Sequence, residues 1–388
     1  MKKPVLLLVS MALALVLGSG VAMAAIVPTS NAQTIANAIT RNTAWVSGAS
    51  FVAGPPASSA NAVSDTALTG FPTNGATYGI LSTGDATVAG AANISGSTST
   101  NWGGGNVRGD SDYDVSILKI NLAVPSGVNC LSIDFRFLSE EYPEFEGGQF
   151  NDAFIAELDN SNWNTSGPTI NAPNNFAFGQ DGKAISINST GATSVSAADA
   201  AGTTYDGATA RLQAKTPVTA GAHSLYLSIF DHFDASLDSA VFIDKLSLFN
   251  VDPVWCEKGA HLDITPPKVS STLPINTAIG VMRNTNVTAT FSEPMDKSTL
   301  TTSTFKLFKV NSDGSTTQIT NVTLSKSANG LKATLNPFGT STTLLAANTT
   351  YRAVVTTGAR DLAGNRLDQS ATTSGNQQKV WTFKTGST

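Results

Sequence analysis

The sequence predicts an all-β protein: a jelly-roll-like antiparallel β-sandwich followed by a smaller Ig-like β-sandwich. Three observations carry that prediction. Short runs rich in Val, Ile, Leu and Phe alternate apolar and polar residues with a period of two, as strands with one buried face do. Gly, Asn, Asp, Ser and Pro separate the runs, as turns require, and no sustained helical period appears. The texture then changes at "VDPVWCEKGAHLDITPPK", where prolines and charges gather and the Pro266–Pro267 pair reads as a stiff connector. The 388 residues therefore divide into a leader at 1–24, a first domain at 25–250, a linker at 251–266 and a second domain at 267–388.

Taken in order, the chain opens on Lys2 and Lys3, an apolar stretch from Pro4 to Leu17, and Ala22-Met23-Ala24. That is the layout of a secretory signal peptide cut after Ala24. No later run of about 20 apolar residues exists, so no membrane span is expected after cleavage. "IVPTSNAQTIANAIT" reads as a short strand and a short amphipathic helix, and loops and weak strands follow to about residue 110. Leu118, Ile120 and Leu122 mark the first firm strand. Leu131, Ile133, Phe135 and Phe137 mark the strongest, with Ser132, Asp134 and Arg136 on its other face. Phe154 to Leu158, Leu225 to Ile229 and Val241 to Leu248 complete the first sandwich. Beyond the linker come Val287–Phe291, Thr304–Val310, Gln318–Leu324, Leu331–Leu335, Tyr351–Thr356 and Val380–Phe383. Asp313-Gly314 and Asn329-Gly330 are hairpin signals between such strands.

Composition narrows the function. Only 13% of residues are charged and the net charge is −5, so there is no basic surface for nucleic acid. The two cysteines are Cys130 and Cys256, and export permits a disulfide between them. It would close a loop of 126 residues, which in the loop-entropy model contributes roughly 4–5 kcal/mol.

The second half resembles bacterial Ig-like domains of S-layer and other surface proteins. The residues that carry the likeness are "TPPKVSSTLPINTAIGV", "ATFSEPMDKSTL", "ANTTYRAVVTTGARDLAGNRL" and "WTFKT", covering Asp263 to Thr388. The first half resembles the choice-of-anchor L domain of bacterial surface and exported proteins, through "YDVSILKINLAVP", "DFRFLSEEYPEFEGGQFNDAFIAEL" and "YLSIFDHFDASLDSAVFIDKLSL". The first resemblance implies a spacer or binding module. The second implies an exported β-rich domain joined to varied anchors, with no settled activity.

The chemistry gathers in "FRFLSEEYPEFEGGQFNDAF". Asp134 to Asp159 holds eight of the chain's 28 acids. Two more acidic groups, Asp110/Asp112/Asp114 and Asp231/Asp234/Asp238, flank other strands. Strand-end loops of a sandwich gather at its two ends, so carboxylates distant in sequence can converge. Ca2+ takes six to eight oxygen ligands in flexible geometry. The metal candidates are Glu140, Glu141, Asn151, Asp152, Asp112, Asp114, Asp231 and Asp238, with Ca2+ as the cofactor. Two other readings stay open. The acids may be read as a solvated turn, since Asp and Asn form turns anyway. Glu140 or Glu141 with Asp152 could also serve as the opposed carboxylates of a polysaccharide hydrolase.

Other motifs carry less. Asp110 to Asp114 looks like the start of an EF-hand loop, but the sixth position is Val115 and the twelfth Asn121. Arg108-Gly109-Asp110 matches an adhesion tripeptide of a kind that recurs by chance. His232 reads as a surface-loop histidine. Trp102 and Trp163 read as packing residues before they read as sugar platforms. Zinc-protease, nucleophile-elbow, P-loop and dinucleotide signatures are missing. The sequence thus points to a secreted or cell-surface protein, not an enzyme, acting in binding, adhesion or surface structure. Its partner is an extracellular glycan or protein that the sequence does not name.

Overall fold

The computed structural model describes residues 25–387 except 55–56, 95, 97, 104 and 340–342. The expected leader lies outside the described residues.

Two sheets face each other in the first unit. The larger has nine strands. Its hydrogen-bonded order is Ile26–Pro28, Asn61–Ser64, Tyr78–Ser82, Ser239–Phe249, Cys130–Ser139, Gly207–Thr209 and Val195–Ser196. Leu212–Pro217 also pairs with Cys130–Ser139 and carries Gly259–His261 on its other edge. The smaller sheet runs Ile185–Ser186, Ala153–Leu158, Gly221–His232, Asp112–Val124 and Val46–Ala53. Between the sheets lie Leu118, Ile120, Leu122, Ile133, Phe135, Phe137, Phe154, Leu225, Leu227 and Ile229, the residues whose alternation predicts the strands. The early segment read as weak strands supplies Val46–Ala53, Asn61–Ser64 and Tyr78–Ser82. The expected helix is Ala32–Ile39. Asn31 caps it by accepting from the Gln33 and Thr34 amides, and it buries Ala32, Ile35, Ala36 and Ile39 at helical spacing.

One expectation needs correcting. The strongest strand is not half-buried: Cys130–Ser139 is buried at every position, although Leu118, Ile120 and Leu122 do alternate with the less buried Lys119 and Asn121. The reason is that long connections fold back over both outer faces. Phe71, Tyr78 and Tyr205 cover Leu138 and Phe242 on one side. On the other, Trp163 stacks on Phe230 at 4.3 Å. The polar residues of the strand find partners there. Asp134 accepts from Gln213 Nε2 at 2.9 Å and lies 3.8 Å from the Lys245 amine. The Arg136 guanidinium donates to the Asp199 carbonyl.

The second unit packs a four-stranded sheet (Val269–Leu273, Val287–Phe291, Lys332–Asn336, Thr323–Lys326) on a five-stranded one (Ala278–Val281, Lys379–Thr385, Thr350–Val355, Phe305–Val310, Thr316–Gln318). Its core includes Phe291, Leu335, Tyr351, Trp381 and Phe383. Gly314 and Gly330 sit at φ +81° and +73° in the two hairpins, a conformation glycine adopts without steric cost. Three differences from the sequence reading appear. Val269–Leu273 and Ala278–Val281 are additional strands, and the latter pairs in parallel with Lys379–Thr385. The run read as Gln318–Leu324 is two strands split at Thr320–Val322, because the chain crosses from one sheet to the other there.

The segment read as a linker is tied to the first sandwich. Cys130 and Cys256 form the disulfide, with their Cα atoms 5.8 Å apart, inside the range a bridge tolerates. The two units also touch directly. Arg41 pairs with Asp296 at 3.0 Å, the Lys245 amine donates to the Leu362 carbonyl at 2.7 Å, and Arg211 donates to the Ala363 carbonyl at 3.0 Å. No helix among the described residues is long and apolar enough to cross a membrane.

Candidate functional site

Antiparallel pairing brings the acidic stretches to one end of the first sandwich. Glu140 and Glu141 leave the end of Cys130–Ser139, and Asp152 precedes Ala153–Leu158. Asp231 ends Gly221–His232, Asp238 precedes Ser239–Phe249, and Asp112 and Asp114 begin Asp112–Val124. The register fixes this, since Ser139 faces Ser239, Ala153 faces Phe230, and Asp231 faces Tyr113.

The acidic loop itself divides. Glu144 and Glu146 are exposed, in a turn held by contacts among Phe145, Phe150 and Phe233. Glu140 and Glu141 are 1% and 2% exposed. Ser139 Oγ accepts from the Glu141 amide at 3.0 Å, and the Glu140 amide donates to the Asp238 carbonyl at 3.2 Å, which turns both side chains back under the loop.

Asp152 is well supplied, accepting from the His232 amide at 2.9 Å and from Ser239 Oγ at 2.7 Å. Asp231 beside it is fully buried, and neither of its oxygens meets a hydrogen-bond donor. The Thr83 hydroxyl and the Asp152 carboxyl are its polar neighbours, and a proton shared between the two carboxyls would sit on Asp231 and leave Asp152 charged. Asp238 accepts from the Thr100 amide at 2.7 Å through Oδ1, but Oδ2 is buried without a donor. That carboxylate lies over Gly84, where a Cβ would collide with it. Glu140 accepts from the Gly96 amide at 3.1 Å, and its Oε1 has no donor.

Electrostatics follow from burial and crowding. Burial first, then the Asp206 and Asp238 charges, pushes Glu140 up to about 7. Burial, then Asp114 and Asp85, pushes Asp238 up to about 6. Glu141, Asp152 and Asp231 all lie above the usual carboxylate range, chiefly by burial, and Glu141 and Asp231 are each raised further by Asp152. Burial also raises Asp234. Unpaired buried charge is costly, so such a group must either hold protons or meet a cation.

The other candidates are placed differently. Asp112 has both oxygens committed, Oδ2 accepting from the Val107 and Arg108 amides of the loop before it and Oδ1 from Thr165 Oγ1 in Asn164–Ser166. Asn151 Oδ1 accepts from the Asn188 amide. Asp114 accepts from the Trp102 amide at 3.2 Å and is a neighbour of Asp238. His232 is fully buried, which corrects its reading as a surface-loop residue. Its Nε2 lies 3.1 Å from the Gly167 carbonyl, and burial lowers its pKa. The adhesion tripeptide is structural. Arg108 donates to the Ser161 carbonyl and lies over Trp163, while Asp110 accepts from the Gly167 amide. Trp163 is a core residue.

Among its described residues the first sandwich holds no close trio of acids. Among the described residues, the one trio whose carboxylate oxygens all lie within 4.8 Å of one another is elsewhere: Asp263, Glu293 and Asp361. Sequence reasoning missed that trio. Each member is a single acid in a turn, and 98 residues separate the first from the last.

Residues 29–250 match the family model described as Choice-of-anchor L domain. The chain belongs to that family. Residues 263–385 match the model described as Bacterial Ig-like domain, so both resemblances hold, in the order the motifs give. No curated protein matches the chain. Among solved structures, the N-terminal part of the bacterial S-layer protein SbsC is 24% identical over 31% of this chain, at a TM-score of 0.22. The match spans only 24% of that chain. The adhesin domain of Epf from Streptococcus pyogenes is 12% identical over 87% of this choice-of-anchor chain and 91% of its own, at 0.26. TmCBM61, solved with β-1,4-galactotriose, is 11% identical over 54% and 92%, at 0.24.

Proposed function

We propose that this choice-of-anchor protein is an exported, non-enzymatic binding or structural component of the cell surface, and that Ca2+ held among the acids of its first sandwich stabilises it. The family of the first domain and the bacterial Ig-like second domain support the surface role. The observation that carries the Ca2+ reading is Asp231: fully buried, with no donor on either oxygen, beside the equally buried Asp152 and within the field of Asp238. A divalent cation would neutralise that pair at little structural cost, because Glu141, Glu140 and Asp238 stand next to it. No three of these carboxylates lie within 4.8 Å of one another, so the ion would draw them together by side-chain rotation.

The competing hydrolase reading needs carboxylates that a polysaccharide can reach. Glu141 and Asp152 are 2% and 1% exposed. Cavities of about 440, 370 and 320 Å3 open elsewhere, lined by other residues. The ligand at the surface is a glycan or a protein. The Ig-like module serves as spacer or contact.

The test is thermal unfolding of the mature chain in Ca2+, Mg2+ and EDTA. Ca2+ at 100 times its Kd stabilises by about 2.7 kcal/mol. That is roughly 5–10 °C for a unit of this size, and D231N should abolish the response. An unchanged transition in all three conditions would return the acids to a protonated structural role.

A further inference from the structure

The trio that the sequence conceals sits where the two sandwiches meet. Asp263 comes from the connector, Glu293 from the turn after Val287–Phe291, and Asp361 from the loop after Thr350–Val355. Two of the three are held in place. Asp361 accepts from the Gly364 amide at 2.6 Å and the Asn365 amide at 2.8 Å, and Asp263 accepts from the Thr265 amide at 3.0 Å. The Asn365 amide nitrogen donates to both the Asp361 carboxylate and the Asp263 carbonyl. Glu293 is 8% exposed. Burial first, then the Asp361 and Asp263 charges, pushes its carboxyl up to about 7, against the Lys215 amine and the Ser292 hydroxyl, which favour its charge.

A second observation comes from the first sandwich. Gln213 is 5% exposed and lines, together with Asp134 and Asp263, a gap of about 10 Å3, the size of one small particle. Its Nε2 is committed to Asp134 and to the Leu362 carbonyl, and its Oε1 is buried without a donor. Arg211 and His261 also line that gap, and Asp263 is the member of the trio that reaches it, so Gln213 adds an unserved amide oxygen on the Asp263 side, a donor type that a hard cation takes together with carboxylates. The charge count agrees. Three carboxylates face one amine, Lys215, which among the described residues has no carboxylate within 4.0 Å. Two negative charges remain.

We propose that Asp263, Glu293 and Asp361 hold a divalent cation, Ca2+ in preference to Mg2+, at the seam between the sandwiches, with Gln213 Oε1 turned toward it. Ca2+ suits an irregular, all-oxygen set, whereas Mg2+ demands near-ideal octahedral geometry. The ion would join the connector to two loops of the Ig-like module and set that module's angle against Leu212–Pro217. This site is independent of the one in the first sandwich and does not rest on it.

Trp255 lines the same pocket of about 370 Å3 as Asp263 and Glu293, which makes Tb3+ a usable probe. With the full mature chain, Tb3+ emission excited through tryptophan should appear, fall as Ca2+ displaces the probe, and drop in W255F. E293Q should lose that emission and one equivalent of bound Ca2+ by calorimetry, while D231N keeps both. E293Q with wild-type emission and stoichiometry overturns the proposal. Should E293Q fail to fold, the wild-type and W255F chains decide: emission that W255F leaves unchanged, or that Ca2+ does not displace, overturns it equally. Loss of a Ca2+ equivalent in D231N but not in E293Q would support the first-sandwich site and remove this one. The reverse would do the opposite.

Discussion

Two gatherings of acid in this molecule differ in a way that neither their number nor their burial predicts. At the end of the first sandwich, Glu140, Glu141, Asp152, Asp231 and Asp238 are each 2% exposed or less, yet no three of them bring their carboxylate oxygens within 4.8 Å of one another. At the seam, three acids of more varied burial bring their oxygens within 4.8 Å. The first set is fixed by strand ends, which space side chains by the sheet lattice of about 5 Å between neighbouring strands. The second is fixed by turns whose backbone amides aim carboxylates directly, as the Gly364 and Asn365 amides do for Asp361. Lattice placement yields a row of charges, whereas turn placement yields a cup.

The disulfide links the two regions, and cutting it should produce the largest effect. Cys130 opens the strand Cys130–Ser139 that leads into Glu140, and Cys256 lies in the connector that leads to Asp263. The closed loop spans 126 residues, so C130S/C256S should lose roughly 4–5 kcal/mol in the loop-entropy model. Differential scanning calorimetry should show the first unit melting roughly 10–20 °C lower. The seam should lose its order first, read as faster protease cleavage within 251–268. A melting point within 2 °C of the parent would mean that strand Gly259–His261 holds the connector unaided.

D231N sharpens the comparison next, through a change of sign. Without a cation Asp231 must hold a proton, and D231N replaces it by a neutral side chain of the same shape, so in EDTA the variant should melt no lower than wild type. In Ca2+ it should melt below. A solvated-loop role for the acids predicts no dependence on the cation in either protein. Acidity gives a smaller effect of the same origin. Glu140 and Asp238 are raised to about 7 and about 6, above unfolded values near 4.3 and 3.9. Groups raised in the folded state contribute stability that is complete below the unfolded values and is lost as pH rises through the folded ones. In EDTA the first unit should therefore lose a few degrees between pH 4.5 and 7.5. In Ca2+ that decline should vanish, because the ion binds the ionised form. A melting temperature in EDTA that rises steadily over this range would contradict the assignment.

The first sandwich was legible where periodicity reports burial. Leu131, Ile133, Phe135 and Phe137 named one core face, and the motif strings named the family. The other face was not legible, because alternation of Ser132, Asp134 and Arg136 with apolar residues looks the same whether water or a folded-back connection covers the polar side. The convergence of Glu140, Asp152, Asp231 and Asp238 followed from the logic of sandwich ends. The burial of His232 and the full occupancy of Asp112 did not, since both depend on loops such as 106–111 and 165–167 that carry no period. The seam trio has no local signal at all. "HLDITPP", "FSEPM" and "ARDLAGN" each offer one acid in a turn, and only the docking of the Ig-like module on the first sandwich brings them together.

The smallest predicted effect sets the limit of the comparison. Glu144 and Glu146 belong to the same seven-residue run as Glu140 and Glu141, and by sequence the four are interchangeable. Structurally they part at Glu141, whose carbonyl accepts from the Phe145 amide at 3.0 Å and closes the turn. Glu140 and Glu141 stay under the sheet edge, while Glu144 inside the turn and Glu146 just past it face water. Exposed substitutions of this kind shift stability by well under what buried ones do. E144Q/E146Q should move the melting temperature by about 1–2 °C at most, in Ca2+ or in EDTA. Calorimetry of that double variant beside E140Q/E141Q then measures what a turn of one residue changes. If both pairs abolish the Ca2+ response alike, the ion sits outside the sheet on the loop, and the buried row from Asp231 to Asp238 is a proton store instead of a ligand set.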